Sequence, residues 1–279
     1  MKTSFILLFF LWPLLNFGQI ETVSKKDSTK IWDLLKYDTK NIAKSVGHSL
    51  TQPLRWKGDD FAKLGILIGG TAALTTLDNT ARDFFVNQQE DFPKVVRDFG
   101  WYFGSPQNYF MINAGLYSLG LFTKNEKIRK TSVLIISSSI TSGLLQTFLK
   151  TAVGRARPGP GIDNYDFRPF SSKGAYHSFP SGHTVLAVTM AHSIAKQFKN
   201  TWVKIGIYTI GAIPPISRLI DDAHWITDVA FSTAMSILVV DSIDKYLFKE
   251  KAYKYPHKEK TISWNISFAP NQIGFIGTF

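Results

Sequence analysis

Apolar residues in this chain fall into long runs. Six stand out, at residues 64–77, 109–123, 131–149, 184–195, 205–217 and 225–240. None alternates with the period of a strand, so the pattern predicts an all-α body of about six core helices. Ahead of them, residues 28–49 are polar with Ile31, Leu34, Leu35, Ile42 and Val46 at helical spacing. That spacing predicts an amphipathic helix, lying on a membrane or on the body itself and closed by Pro53. Pro214-Pro215 is expected to kink or end the fifth core helix. Alternation appears only at the end of the chain. Ile262, Trp264, Ile266 and Phe268 alternate with polar residues, Pro270-Asn271 supplies a turn, and an apolar segment follows from Ile273. A short β-hairpin packed on the helical body is the expectation there.

The run at 131–149 is free of charge and long enough to cross a bilayer, although rich in serine. The other runs are shorter, and the mean hydropathy of −0.02 is modest for a polytopic protein. Charge placement points toward membrane association. The connectors 124–130, 196–204 and 245–260 are rich in lysine and arginine and fall on one side of an alternating bundle. Cytoplasmic loops carry that bias. At the start, Lys2, the apolar core Phe5 to Leu15 and the small residue Gly18 describe a secretory signal peptide over residues 1–18. The two signals conflict. Six spans ending on the lysine-rich side require residue 60 to lie on that side too, whereas an exported N-terminus would not. The resulting division is a signal peptide (1–18), an amphipathic segment (19–60), a helical domain (61–245) and a basic tail with the hairpin (246–279).

The net charge of +11 suits anionic partners such as phosphate esters or acidic headgroups. Nucleic acid is not expected, because the basic residues are scattered in loops and form no recognised binding module. Cysteine is absent, which excludes disulfides, thiolate catalysis and Cys-ligated zinc.

Three short patches carry chemistry. Lys150 and Arg157-Pro158 are seven residues apart, at a break enforced by Gly159-Pro160-Gly161. A cation pair there can grip phosphate oxygens. Pro180-Ser181-Gly182-His183 opens an apolar helix, where Ser181 can cap, Gly182 lets backbone N–H groups approach an anion, and His183 can protonate a leaving alkoxide. Ser217-Arg218 is followed by His224 and Asp228, four residues apart, so that the carboxylate can fix the tautomer of a nucleophilic imidazole.

In this order, the patches resemble the type 2 phosphatidic acid phosphatase/vanadium haloperoxidase superfamily, with its pattern K-x6-RP, PSGH and SR-x5-H-x3-D. Every position is filled, within a resemblance covering about residues 61–243. It implies a helical bundle of that type and a phosphatase that needs no cofactor or metal. It also implies roles: His224 attacks phosphorus and forms a phosphohistidine, Asp228 orients it, and His183 protonates the leaving group. Lys150, Arg157, Arg218, Ser181 and Gly182 would cradle the phosphoryl oxygens. Asp221-Asp222 departs from the pattern, since many members carry a less acidic stretch with glycine there. It reads as solvated surface in preference to a feature that weakens binding of polyanionic headgroups. His177 reads as an exposed loop residue and His192 as structural.

The expected function is therefore phosphomonoester or pyrophosphate hydrolysis on a lipid in the bacterial envelope, at an inner-membrane site facing the periplasm. A soluble periplasmic acid phosphatase of broad specificity is the alternative. A vanadate-dependent haloperoxidase and a non-catalytic anion-binding scaffold are weaker readings.

Overall fold

The structure, a computed structural model, describes residues 30–250, 253, 263–269 and 272–278. The signal peptide, residues 19–29 and most of the basic tail, including the expected turn at Pro270-Asn271, lie outside the described residues. The chain divides into two compact units, one of which is Ile31–Lys254.

Nine α-helices build that unit among the described residues: α1 (Ile31–Leu50), α2 (Gly58–Leu74), α3 (Asp78–Asn87), α4 (Lys94–Gly104), α5 (Pro106–Phe122), α6 (Glu126–Val153), α7 (Gly182–Ala195), α8 (Thr201–Ile220) and α9 (Ile226–Asp244). The six apolar runs became α2 and α5–α9. The expected count of about six is corrected to nine, because α1, α3 and α4 also pack into the unit. The last two are short and of mixed polarity, so neither carries a long apolar run.

The hairpin expectation is corrected as well. Ser263–Ala269 (β1) and Gln272–Thr278 (β2) pair antiparallel with each other, Ala269 opposite Gln272. They belong to the other compact unit, not to the helical body on which a hairpin was expected. Within the helical unit the described residues contain no β-sheet, only the isolated bridge between Arg155 and Phe167. A helix satisfies its own backbone and offers no edge for a strand to join.

Four stretches, Gly58–Asn87, Glu126–Val153, Thr201–Ile220 and Ile226–Lys249, are long and apolar enough to cross a membrane. No residue of α2 is buried, and Phe61, Ile66 and Ile68 stand well exposed on it. An apolar helix with so much of its surface exposed is suited to lipid rather than water.

Helix α8 continues through Pro214-Pro215, correcting the expectation that it could end there, and stops only at Ile220. The amphipathic helix α1 forms, but of the apolar positions in the sequence pattern only Leu34 is fully buried, and Asp38, Asn41 and Ser45 complete the buried face. Asp38 is fully buried and receives Arg129 Nε and Nη2 at 2.9 and 2.8 Å, Tyr117 OH at 3.0 Å and Tyr253 OH at 2.5 Å. Nearby, Lys127 lies over the Phe198 ring and Lys130 over Tyr253, while Lys196 pairs with Asp241 and Asp244. The described parts of the lysine-rich connectors thus gather at one end of the bundle. His192 belongs to that end, bonded to Tyr208 OH and Asp241.

Candidate active site

At the opposite end, α6 and α8 finish and α7 and α9 begin. Helix C-termini favour cations and N-termini favour anions. Lys150 and Arg218 accordingly occupy the last turns of α6 and α8.

Helix α6 stops at Val153, earlier than the glycine-proline run, because Gly154 adopts φ 58° as its C-cap. A Cβ at Gly154 would fall 2.0 Å from the Arg168 carbonyl oxygen, so only glycine fits. Arg157 therefore lies beyond the helix. The His177 carbonyl gathers both cations, accepting Lys150 Nζ at 2.7 Å and Arg157 Nη2 at 3.4 Å. His177 is thus no idle loop residue; its ring is bonded to the Ser171 carbonyl.

Ser181 occupies the N-cap position of α7 but makes no side-chain cap bond. Its hydroxyl accepts from Thr184 Oγ1 at 3.0 Å, and its N–H donates to Ser232 Oγ at 2.8 Å. The adjacent His183 is held between elements. Trp101 lies 5.3 Å from it, and a Cβ at Gly104 would come within 2.8 Å of its ring. His183 Nε2 is buried and has no hydrogen-bond partner among the described residues. Burial, and then Arg218, His224, Arg157 and Lys150, push this imidazole down to about 4. Trp101 also carries the Arg218 guanidinium, 4.7 Å from its ring.

His224 precedes α9 rather than sharing a helical face with Asp228. Asp228 is the third residue of α9 and accepts the Trp225 N–H at 3.0 Å. His224 Nδ1 lies 3.5 Å from Asp228 Oδ2. Its Nε2 lies 3.3 Å from Arg157 Nη1. Arginine only donates, so Nε2 presents its lone pair and Nδ1 carries the proton toward Asp228. Burial pushes this imidazole down to about 4, with Arg157 and Lys150 adding to the effect against the pull of Asp228. The ring is neutral at neutral pH.

All eight site residues expected from sequence thus meet at one end of the bundle. Three others were not legible there. Ser178 donates to Asp228 Oδ2 at 2.5 Å and approaches His224 Nδ1 at 3.5 Å. Arg155, 2% exposed, donates to Asp228 Oδ1 at 2.9 Å and to Asp78 Oδ2 at 2.5 Å. Asp78, at the start of α3, also accepts Thr227 N and Oγ1. A buried chain Asp78–Arg155–Asp228–His224 results. Its sequence signal is weak, since Asp78 lies 77 residues from Arg155.

The reading of Asp221-Asp222 as solvated surface is corrected. Asp222, at φ 52°, is clasped by Arg82 at 2.7 and 2.6 Å, while Asp221 bridges Arg218 and Arg97. Among the described residues no three His, Cys, Asp or Glu side chains are grouped as a metal site.

The PAP2 superfamily pattern matches residues 131–250, a stretch that contains all three patches. That stretch is similar to the PAP2 superfamily. It is similar to a lipid A 1-phosphatase of Rhizobium etli, 32% identical over 97 residues, which are 34% of this chain and 41% of that protein. A lipid A 1-phosphatase of Porphyromonas gingivalis is 32% identical over 93 residues, 32% of this chain and 21% of the relative. The chain therefore spans less than half the length of these relatives. Among solved structures, a transmembrane PAP2 type phosphatidylglycerolphosphate phosphatase from Bacillus subtilis shares the fold. The TM-score is 0.53 at 20% identity, covering 70% of this chain and 98% of the other. The apolar outer surface and the four helices of spanning length fit this helical unit to a membrane.

Proposed function

We propose that this protein is a PAP2-type phosphatase acting on a phosphorylated lipid through a phosphohistidine on His224, within a domain at residues 61–245. One observation carries the reading: the unprotonated Nε2 of His224, its lone pair turned toward Arg157, beside three cations and two helix N-termini. Nε2 attacks phosphorus as the ester P–O bond breaks, and protonated His183 gives its proton to the departing oxygen. Water then attacks the phosphohistidine, releasing phosphate and restoring the lone pair. Lys150, Arg157, Arg218 and the N-terminal turn of α7 offset the charge on the phosphoryl oxygens. Spanning-length helices and relatives named lipid A phosphatases favour a lipid substrate. The lysine-rich end is the cytoplasmic one by the positive-inside rule, which turns the site toward the periplasm.

The test is phosphate release by purified protein in detergent without added metal, comparing phosphatidic acid with p-nitrophenyl phosphate. Release mainly from the lipid, lowered at least ~10³-fold in His224→Ala, is expected. An unaffected His224→Ala protein would remove the nucleophile, and preference for the soluble ester would favour a soluble-substrate acid phosphatase.

Two further outcomes follow from His183. It is neutral in the free site, so its proton must come with the substrate. A phosphate dianion counters the repulsion from Arg218, Arg157 and Lys150, and should move its titration up from about 4 toward neutrality. Imidazole NMR with and without inorganic phosphate reads this directly; an unmoved midpoint would separate His183 from the phosphate. In Gly104→Ala, the new methyl must displace the His183 ring. Displacement by about 1 Å is expected to lower kcat by ~10²-fold while the melting temperature changes little.

A further inference from the structure

A carboxylate sits where a phosphate site does not call for one. Asp221 Oδ2 accepts Arg218 Nη2 at 2.5 Å, occupying part of a guanidinium fork that the phosphate would use. Arg97 Nε holds Oδ1 at 2.9 Å, so the carboxylate is fixed in place. A cleft of about 650 Å³ opens at this point, with Asp221 and Trp101 in its wall. Its charged lining is Glu90, Asp91, Asp98 and Asp221 against Lys94 and Arg97. Both cations are already engaged, Lys94 with Asp98 and Arg97 with Asp221.

Trp101 connects the site to the cleft. Its ring lies 5.3 Å from that of His183, assigned above to the leaving group, and it also lines the cleft. The leaving group therefore departs into a cleft with excess negative charge. A phosphomonoester carries about −1.5 to −2 near neutral pH, which Lys150, Arg157 and Arg218 can match. In a diphosphate the second phosphate is part of the leaving group, and its charge would stand among these carboxylates.

We propose that Glu90 and Asp91, with Asp221 on the Arg218 fork, select phosphomonoesters whose leaving alcohol bears no anionic group beside the phosphate. The inference rests on the phosphatase reading above and narrows its substrate class. Repulsion between like unit charges in such a cleft corresponds to roughly tenfold discrimination or more.

The experiment compares decyl monophosphate with decyl diphosphate in detergent. Wild type should favour the monophosphate by at least ~10-fold in kcat/KM. The double variant Glu90→Gln/Asp91→Asn, which touches none of the motif residues, should shrink that ratio by raising the diphosphate value. Asp221→Asn should move the ratio further. Equal or faster diphosphate hydrolysis by wild type would overturn the proposal, as would a ratio that neither variant moves. A second arm measures calorimetric binding of inorganic phosphate and pyrophosphate to His224→Ala protein. Tighter pyrophosphate binding would overturn the charge selection even with activity intact. Phosphate bound in preference, with neither ester hydrolysed by wild type, would uphold the selection and sink the phosphatase reading instead.

Discussion

Arg155→Met should abolish turnover and destabilise the fold by about 3–5 kcal/mol. Among the described residues Arg155 alone is bonded to both buried carboxylates, Asp78 and Asp228, and its remaining donors reach the Asn164 carbonyl. Removing it leaves two buried carboxylates without the cation bonded to them. Asp228 also loses the bond that fixes it against the Nδ1 proton of His224, so the lone pair at Nε2 loses its orientation. Loss of such an orienting carboxylate is worth on the order of 10³–10⁴ in rate. Arg155→Lys keeps the charge but lacks the fork that spans both partners, so partial stability with little activity is expected. The measurement is kcat beside a thermal melt in detergent. An Arg155→Met protein within tenfold of wild-type kcat would show that Asp228 needs no such partner.

The second large effect lies at the other end of the bundle and should leave the chemistry alone. Asp38→Asn removes the charge that receives both Arg129 donors, Tyr117 and Tyr253, in a network joining α1, α5, α6 and the residues after α9. Breaking one side of a buried pair costs about 3–5 kcal/mol. The expected outcome is a sharply lowered melting temperature, with near-normal kcat in the fraction that remains folded. The paired substitution Asp38→Leu/Arg129→Met should recover much of the loss, since it leaves no charge uncompensated. A single Asp38→Asn variant as stable as wild type would mean that the network contributes geometry without energy.

These two networks also mark where reading the sequence stops. The six apolar runs, the helix at Ile31–Leu50 and the three motif patches were legible because they depend on local order: periodicity, spacing and helix ends. The grouping of the lysine-rich connectors followed from alternation of long helices. The eight motif residues could be named, and the ends of consecutive helices placed them together.

Long-range pairing was not legible. Asp38 and Asp78 look like solvent-facing acids in sequence, yet both are fully buried. Their partners, Arg129 and Arg155, lie 91 and 77 residues away. A buried charge is tolerated only where a partner of opposite sign meets it, and that meeting is a property of packing. The same holds for Asp221 and Asp222, which meet distant arginines from α4 and α3, two short helices without an apolar run. It holds for α8, where the sequence announces a break at Pro214-Pro215 and the helix runs on. The sequence by itself determined which residues could handle a phosphate and that helices would carry them. Only the tertiary structure decided which arginine faces the site and which is spent inside, because charge pairing across distant segments is settled where they pack and not where they lie along the chain.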